Sequence, residues 1–96
     1  MKEWKWLTDS IPRGQADAVS MSQLSTLHQM SARKVRLAIE NARRDGVLIC
    51  SSERGYFMPV TVDEIQTYTR RTSARIRTGR ACLAPFLREL KKAGVG

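Results

Sequence analysis

Apolar and polar positions alternate along the chain in blocks with two different periods. Trp4, Leu7, Thr8 and Ile11 recur at i, i+3, i+4 and i+7, which is one face of a short helix. Pro12 and Gly14 end it, because neither residue continues a helix cheaply. Gln15 to Asp17 read as a loop, and Ala18 and Val19 suit a short strand. Ser20 and Gln23 have the spacing of a capping box. Met21, Leu24, Leu27 and His28 then form one face of a two-turn helix. A helix this short needs a neighbour to lean on. The neighbour opens at Ser31, a second N-cap, and runs to Asp45 with Val35, Ala38, Ile39 and Ala42 as its apolar stripe. Its alanines admit close approach of another helix. Cations in the last turn followed by Gly46 suit a C-terminus.

After Gly46 the period shortens. "VLICS" and "GYFMPV" are rich in β-branched and aromatic residues, and "SERG" between them supplies a turn, which predicts a β-hairpin. Pro59 ends the second strand or confines it to an edge. Thr61 and Glu64 are a third capping signature, with Asp63 in the first turn where the macrodipole favours an acid. A long helical pattern follows, through Val62, Ile65, Tyr68 or Thr69, Thr72 and Ile76. Gly79 and Pro85 interrupt it, so a kink or break is expected between them. Phe86, Leu87 and Leu90 close the pattern, and "AGVG" reads as a frayed tail.

The expected fold class is therefore mainly α with a small β-hairpin (α+β). A short helix, a tight turn and a longer helix with a small-residue face make a helix-turn-helix, and the hairpin is its wing. Two segments are expected: a winged helix-turn-helix over residues 1–60, and a long, kinked, arginine-rich helical extension over residues 61–96.

Charge sharpens this picture. The chain has 17 basic and 9 acidic residues, net +8. Residues 1–30 hold three of each sign, while residues 31–96 hold fourteen basic and six acidic side chains. The whole excess lies from Ser31 onward, as elements facing a polyanion would have it. One histidine and two distant cysteines offer too few ligands for zinc and no nucleophile–base set. Buried, reduced thiols are expected for both Cys50 and Cys82. No enzyme activity and no cofactor is implied. No apolar run reaches the length of a membrane span, and the N-terminus lacks a secretory signal, so a cytosolic compartment and no membrane partner are expected.

On a helix from Ser31 to Asp45, at ~100° per residue, Val35, Ile39 and Ala42 share one side. Arg33, Leu37, Glu40 and Arg44 fall opposite, with Arg36 on one flank and Lys34 and Asn41 on the other. The N-terminal, outward part of such a helix enters the major groove, so Ser31, Arg33, Lys34, Arg36 and Leu37 are the first candidates for DNA contact. Arginine forks onto guanine, asparagine onto adenine, and Leu37 suits a thymine methyl. Ser31, as a cap, sets a helix N-terminus against phosphate. Glu40 either accepts from cytosine or pairs with Arg36 or Arg44 at i,i+4. Arg54, at the hairpin turn, suits a minor groove or a phosphate, or is a solvated turn residue. Arg70, Arg71, Arg75 and Arg77 belong to "TRRTSARIRTGR", within a run free of acids from Glu64 to Glu89. Such a helix tracks a phosphate backbone, meets an acidic protein, or forms a dimer with basic flanks. The apolar repeat falls short of three heptads, which counts against a coiled coil.

The stretch "LSTLHQMSARKVRLAIENARRDGVLICSSERGYFM" resembles the winged helix-turn-helix DNA-binding domain of biotin repressor-type regulators. There a helix beginning at a serine leads into R-x-x-G-x-x-I, a short strand, a glycine turn and G-Y. The corresponding residues are Ser31, Arg43, Gly46, Ile49, Gly55 and Tyr56, and the likeness spans roughly residues 3–60. The whole chain is also similar to small phage- or prophage-encoded winged-helix proteins. The resemblance implies that Ser31–Asp45 is the recognition helix and Ser52–Gly55 the wing. Gln29 departs from it, standing where the turn commonly has glycine. Biotin chemistry does not carry over, because no ligase segment follows the wing.

The expected function is sequence-selective binding of double-stranded DNA, by a regulator of transcription or replication in a phage or mobile element. The helix after Thr61 is the candidate interface for a homodimer. The alternative is a protein-interaction module using Trp6, Leu37 and the "FLREL" helix. A third reading is RNA binding through the arginine helix.

Overall fold

The computed structural model describes residues 4–95. The outer limits of the two expected segments, at residues 1–3 and at Gly96, lie outside the described residues, as does the start of the stretch read for a secretory signal. The elements are α1 (Lys5–Thr8), a 3-10 turn (Gln15–Asp17), α2 (Met21–His28), α3 (Ala32–Arg44), β1 (Cys50–Ser52), β2 (Gly55–Phe57) and α4 (Val62–Lys92). The chain is mainly helical with one small hairpin and a long C-terminal helix.

α1 starts at Trp4 without a side-chain cap, but the three longer helices start where a capping residue dictates. The Ser20 hydroxyl accepts from the Gln23 amide, and the Gln23 side chain accepts from the Ser20 amide, a complete capping box. Ser31 accepts from the Lys34 amide and Thr61 from the Glu64 amide. The ends follow one motif. At the end of α3 the Val47 amide reaches the Ala42 carbonyl and the Gly46 amide the Arg43 carbonyl, with Gly46 at φ 95°.

The end of α2 uses the same motif without a glycine. Met30 donates to the Ser25 carbonyl and Gln29 to the Thr26 carbonyl, and Gln29 sits at φ 53° in the left-handed region. The two hydrogen bonds, and a third from the Ser25 hydroxyl to the Met30 carbonyl, hold a residue that costs ~1–2 kcal/mol in that conformation. The turn between α2 and α3 is thereby as tight as a glycine turn.

The core is small and continuous: Leu7, Ile11, Leu24, Val35, Ala38, Ile39, Ala42 and Ile49. Leu7 and Ile11 come from the first expected helix, although only Lys5–Thr8 is helical. Leu24 alone is buried from α2, and Leu27, expected on that face, is 65% exposed. All four stripe residues of α3 are buried. Trp4, Trp6, Val19, Met21 and Tyr56 close the rim.

β1 and β2 are antiparallel, with Cys50 opposite Phe57, Ser51 opposite Tyr56 and Ser52 opposite Gly55. Glu53 and Arg54 form the two-residue tip. Val19 adds an isolated bridge to Tyr56, as the Ala18–Val19 pattern suggested. Its carbonyl lies so close to Gly55 that a Cβ there would stand 2.1 Å from the oxygen. Gly55 is therefore required by contact as well as by its φ of 126°.

Of the kink or break expected in α4, a break does not occur. The helix runs from Val62 to Lys92 through Gly79 and Pro85. Pro85 has no amide proton to give, yet the turns on both sides carry the helix across. Beyond its last turn the helix closes with Val95 donating to the Leu90 carbonyl and Gly94 to the Lys91 carbonyl. No residue of α4 is fully buried. At ~1.5 Å per residue the helix spans ~46 Å, which matches the long axis of the molecule, 49 Å. Of the two cysteines, Cys50 is buried and Cys82 is exposed, both as free thiols; the expected burial of Cys82 fails because its helix has no neighbour there.

Candidate nucleic-acid interface

α3 presents its polar face outward because its apolar face is consumed by the core. Arg33, Lys34, Arg36, Leu37, Glu40 and Arg44 are all exposed, and Asn41 is half-buried at the flank. Arg33, Arg36, Leu37 and Glu40 line one shallow depression. Among the described residues Glu40 forms no ion pair with Arg36 or Arg44, so the cations are not neutralised in place. Ser31 is exposed and its hydroxyl oxygen is engaged by the Lys34 amide at 3.2 Å. Its proton remains available to an acceptor outside.

The hairpin and α4 build a second basic surface. Ser51, Ser52 and Glu53 on one wall, and Tyr68, Arg71, Thr72 and Arg75 on the other, enclose a groove of about 140 Å³. Two guanidinium groups and four hydroxyls there match the donors a phosphate accepts from, with the Glu53 carboxylate opposing them at one end. Arg54 stands at the hairpin tip, exposed, with its amide tied to the Ser52 hydroxyl at 3.2 Å. Arg70 and Arg77 do not share the groove. Arg75 and Arg77 are two residues apart, hence ~200° apart around a helix, and Arg70 lies on the Arg77 side. The arginine run is thus split between two faces.

Arg43 is a residue whose role the pattern did not reveal. Its Nε donates to the Ile49 carbonyl at 2.9 Å, and its guanidinium lies over the Tyr68 ring at 5.1 Å. One terminal nitrogen is buried without a hydrogen-bond partner, its charge facing the ring instead. Arg43 therefore joins α3, the chain leading into β1, and α4. It is a positioning residue, withdrawn from the pool of cations open to a ligand. Its place in R-x-x-G-x-x-I is the only signal in the sequence, and the signal does not say what the arginine touches.

Glu64 has a similar linking role at the other end. One carboxylate oxygen accepts from the Val60 amide and the other from the Gln15 amide, each at 2.8 Å. These backbone donors, Val60 first and Gln15 next, hold its pKa below the ordinary glutamate value. The carboxylate ties the start of α4 to the 3-10 turn. Trp4 similarly donates its indole N–H to Asp45, fastening the N-terminal end to the end of α3.

Trp6, expected as a contact residue of a protein-interaction module, is half-buried and edge-on to His28, with ring centroids 4.7 Å apart. The His28 ring also shares a 2.8 Å hydrogen bond with the Ser10 hydroxyl. Both belong to the packing of α1 on α2. No helix is long and apolar enough to cross a membrane among the described residues. Comparison with protein-family models, with curated proteins and with solved structures found no match.

Proposed function

We propose that the chain binds double-stranded DNA in a sequence-selective way, as a winged helix-turn-helix whose reading element is α3. The observation that carries this is the outer face of α3. Four cations and one acid stand exposed there, none of them ion-paired among the described residues, on a helix fixed to a core through the four buried residues of its apolar stripe. Rigid placement with open side chains is what base readout requires. Ser31, Arg33, Lys34, Arg36 and Leu37 meet the major groove, with Glu40, Asn41 and Arg44 at its margin. Arg54 and the Arg71–Arg75 groove take phosphates. Arg70 and Arg77 face away from that groove and serve a different stretch of backbone. The biological role that fits is a regulator of a phage or mobile element. On the protein side the partner is a second copy, joined through the helix after Thr61.

Selection from a random duplex library tests this. A defined motif, and a log–log salt slope of about −5 to −7 from six to eight phosphate contacts, are the expected results. Arg33→Ala and Arg36→Ala relax the motif, while Arg71→Ala weakens binding to all sequences alike. Micromolar binding with no enriched motif refutes sequence selectivity. Tighter binding to structured RNA in competition at fixed salt favours the RNA reading.

The protein-interaction reading draws on one feature, the exposed apolar face near the end of α4. Under it Arg33→Ala and Arg36→Ala leave function intact, while changes at Phe86 or Leu90 abolish it.

A further inference from the structure

The face of α4 that docks on the hairpin continues beyond it with nothing against it. Ile65, Tyr68 and Thr72 are its partly buried members. At ~100° per residue, the same face carries on through Ile76, Gly79, Leu83, Phe86, Leu87 and Leu90. The five large ones are 55%, 52%, 69%, 55% and 48% exposed, in that order. Soluble monomers rarely leave a contiguous apolar patch larger than a few hundred Å² in water. Five such side chains, with the stems of Arg75 and Arg80 beside them, offer roughly 600–800 Å², close to the ~800 Å² per partner of a stable interface.

We propose that this face pairs with the same face of a second copy, with the two helices antiparallel and the twofold axis passing near Ala84 and Pro85. This gives the homodimer reading above a definite geometry. The spacing Ile76, Gly79, Leu83, Phe86, Leu90 alternates three and four residues, the seam of a two-helix contact. It is short for a free coiled coil, but the helix is already held at its other end by a folded domain. A twofold contact must be complementary to itself, and this stripe is so only in the antiparallel sense.

Parallel pairing sets Gly79 against Gly79, leaving a hole, and twice brings Arg75 beside Arg80 of the other copy. Antiparallel pairing about residues 84–85 sets Leu90 into the gap at the partner's Gly79, Leu83 against the partner's Phe86, and Ile76 beside the partner's Ala93. Arg80 then lays its stem over the partner's Leu87. Arg75 comes to the C-terminal end of the partner's helix, where the macrodipole favours a cation. The partner's helix ends near Ile76, at the edge of the hairpin groove, whose last lining residue is Arg75. Pro85 lies on the opposite side of α4 from the stripe, outside the contact. An acidic partner is the less favoured occupant: Arg70, Arg77, Arg88 and Lys91 lie to one side of the stripe, not on it.

The test is the oligomeric state of the full chain by sedimentation equilibrium at micromolar concentration. A dimer is expected. The double variant Leu83→Glu, Phe86→Glu weakens it at least ~100-fold, as loss of two central contacts should. Both side chains are exposed, so the variant keeps the far-UV circular dichroism of the parent, and its unfolding midpoint falls only to that of the parent diluted below its dimerisation range. Leu48→Glu, at a site 58% exposed elsewhere, leaves the dimer intact. Register is read with Glu89→Cys: a short bis-maleimide joins Cys82 of one copy to the new thiol of the other. Added salt strengthens the dimer while it weakens DNA binding, because two chains of +8 repel and screening relieves them. A monomer throughout, or a dimer that survives the double substitution, overturns the proposal. Cross-linking of Cys82 to Cys82 in preference to the 82–89 pair overturns the register. Neither result touches the DNA reading, which is scored separately on α3.

Discussion

Replacing Gly55 by alanine isolates the contact that joins the hairpin to the rest of the domain. A Cβ at this position would lie 2.1 Å from the Val19 carbonyl oxygen, 2.5 Å from its carbon and 2.9 Å from the Ser20 nitrogen. An ordinary carbon–oxygen contact is ~3.3 Å or more, so one backbone must move by over ~1 Å. The two hydrogen bonds of the bridge sit within that distance, Tyr56 donating to Val19 at 2.7 Å and Val19 to Tyr56 at 3.0 Å. Losing both costs about 1–3 kcal/mol net. An L-residue at φ 126° adds ~1–3 kcal/mol of backbone strain.

The strain contribution can be separated, because Gly46 also has positive φ, 95°, but nothing lies within 4 Å of where its Cβ would stand. Gly46→Ala should cost only the strain, ~1–2 kcal/mol. Gly55→Ala should cost roughly 3–5 kcal/mol, a large part of what a small domain has. Urea unfolding followed by fluorescence of Trp4 and Trp6 reads both. With m near ~1 kcal/mol/M, the Gly55→Ala midpoint falls by about 3–5 M and the Gly46→Ala midpoint by about 1–2 M. If the two variants shift the midpoint equally, the close approach of Val19 to Gly55 is not what holds the hairpin, and the reasoning fails.

Glu64 gives a pH dependence of definite sign. Its native pKa is held low by the Val60 and Gln15 amides, so its contribution to stability is complete above the ordinary glutamate value. That contribution is lost as pH falls through the depressed native value. Glu64→Gln should be less stable at neutral pH and should show a shallower loss on acidification; an unchanged acid profile would count against the link to Gln15. The two thiols should differ in reactivity. Burial raises the Cys50 pKa against the opposing pull of Arg43, while Cys82 is exposed. One thiol per native chain should titrate quickly with a disulfide reagent and the second only on unfolding, with Cys82→Ser removing the fast phase.

Much of the architecture could be read in advance because it rests on local chemistry. Ser20, Ser31 and Thr61 each accept from the amide three residues on, so the starts of α2, α3 and α4 follow from neighbours in sequence. The buried stripe of α3 and its exposed opposite side follow from the helical period alone. So does the candidate interface, since whatever lies across the axis from Val35 and Ile39 must face outward.

What could not be read required groups far apart in the chain. The one local exception is Gln29, held in a left-handed conformation by hydrogen bonds between its near neighbours Ser25 and Met30, which outweigh the preference for glycine there. Arg43 looks like one more cation of the last turn until Tyr68, twenty-five residues on, is placed under its guanidinium. Gly55 looks like an ordinary turn glycine until Val19 is brought against it. The helix after Thr61 shows the division most plainly. Its amphipathic period was visible, and so was its positive charge. That Ile65, Tyr68 and Thr72 are partly covered while Leu83 to Leu90 stand bare was decided by where the hairpin stops. Local rules set which side chains share a face; only the packed neighbours determine which part of that face is covered.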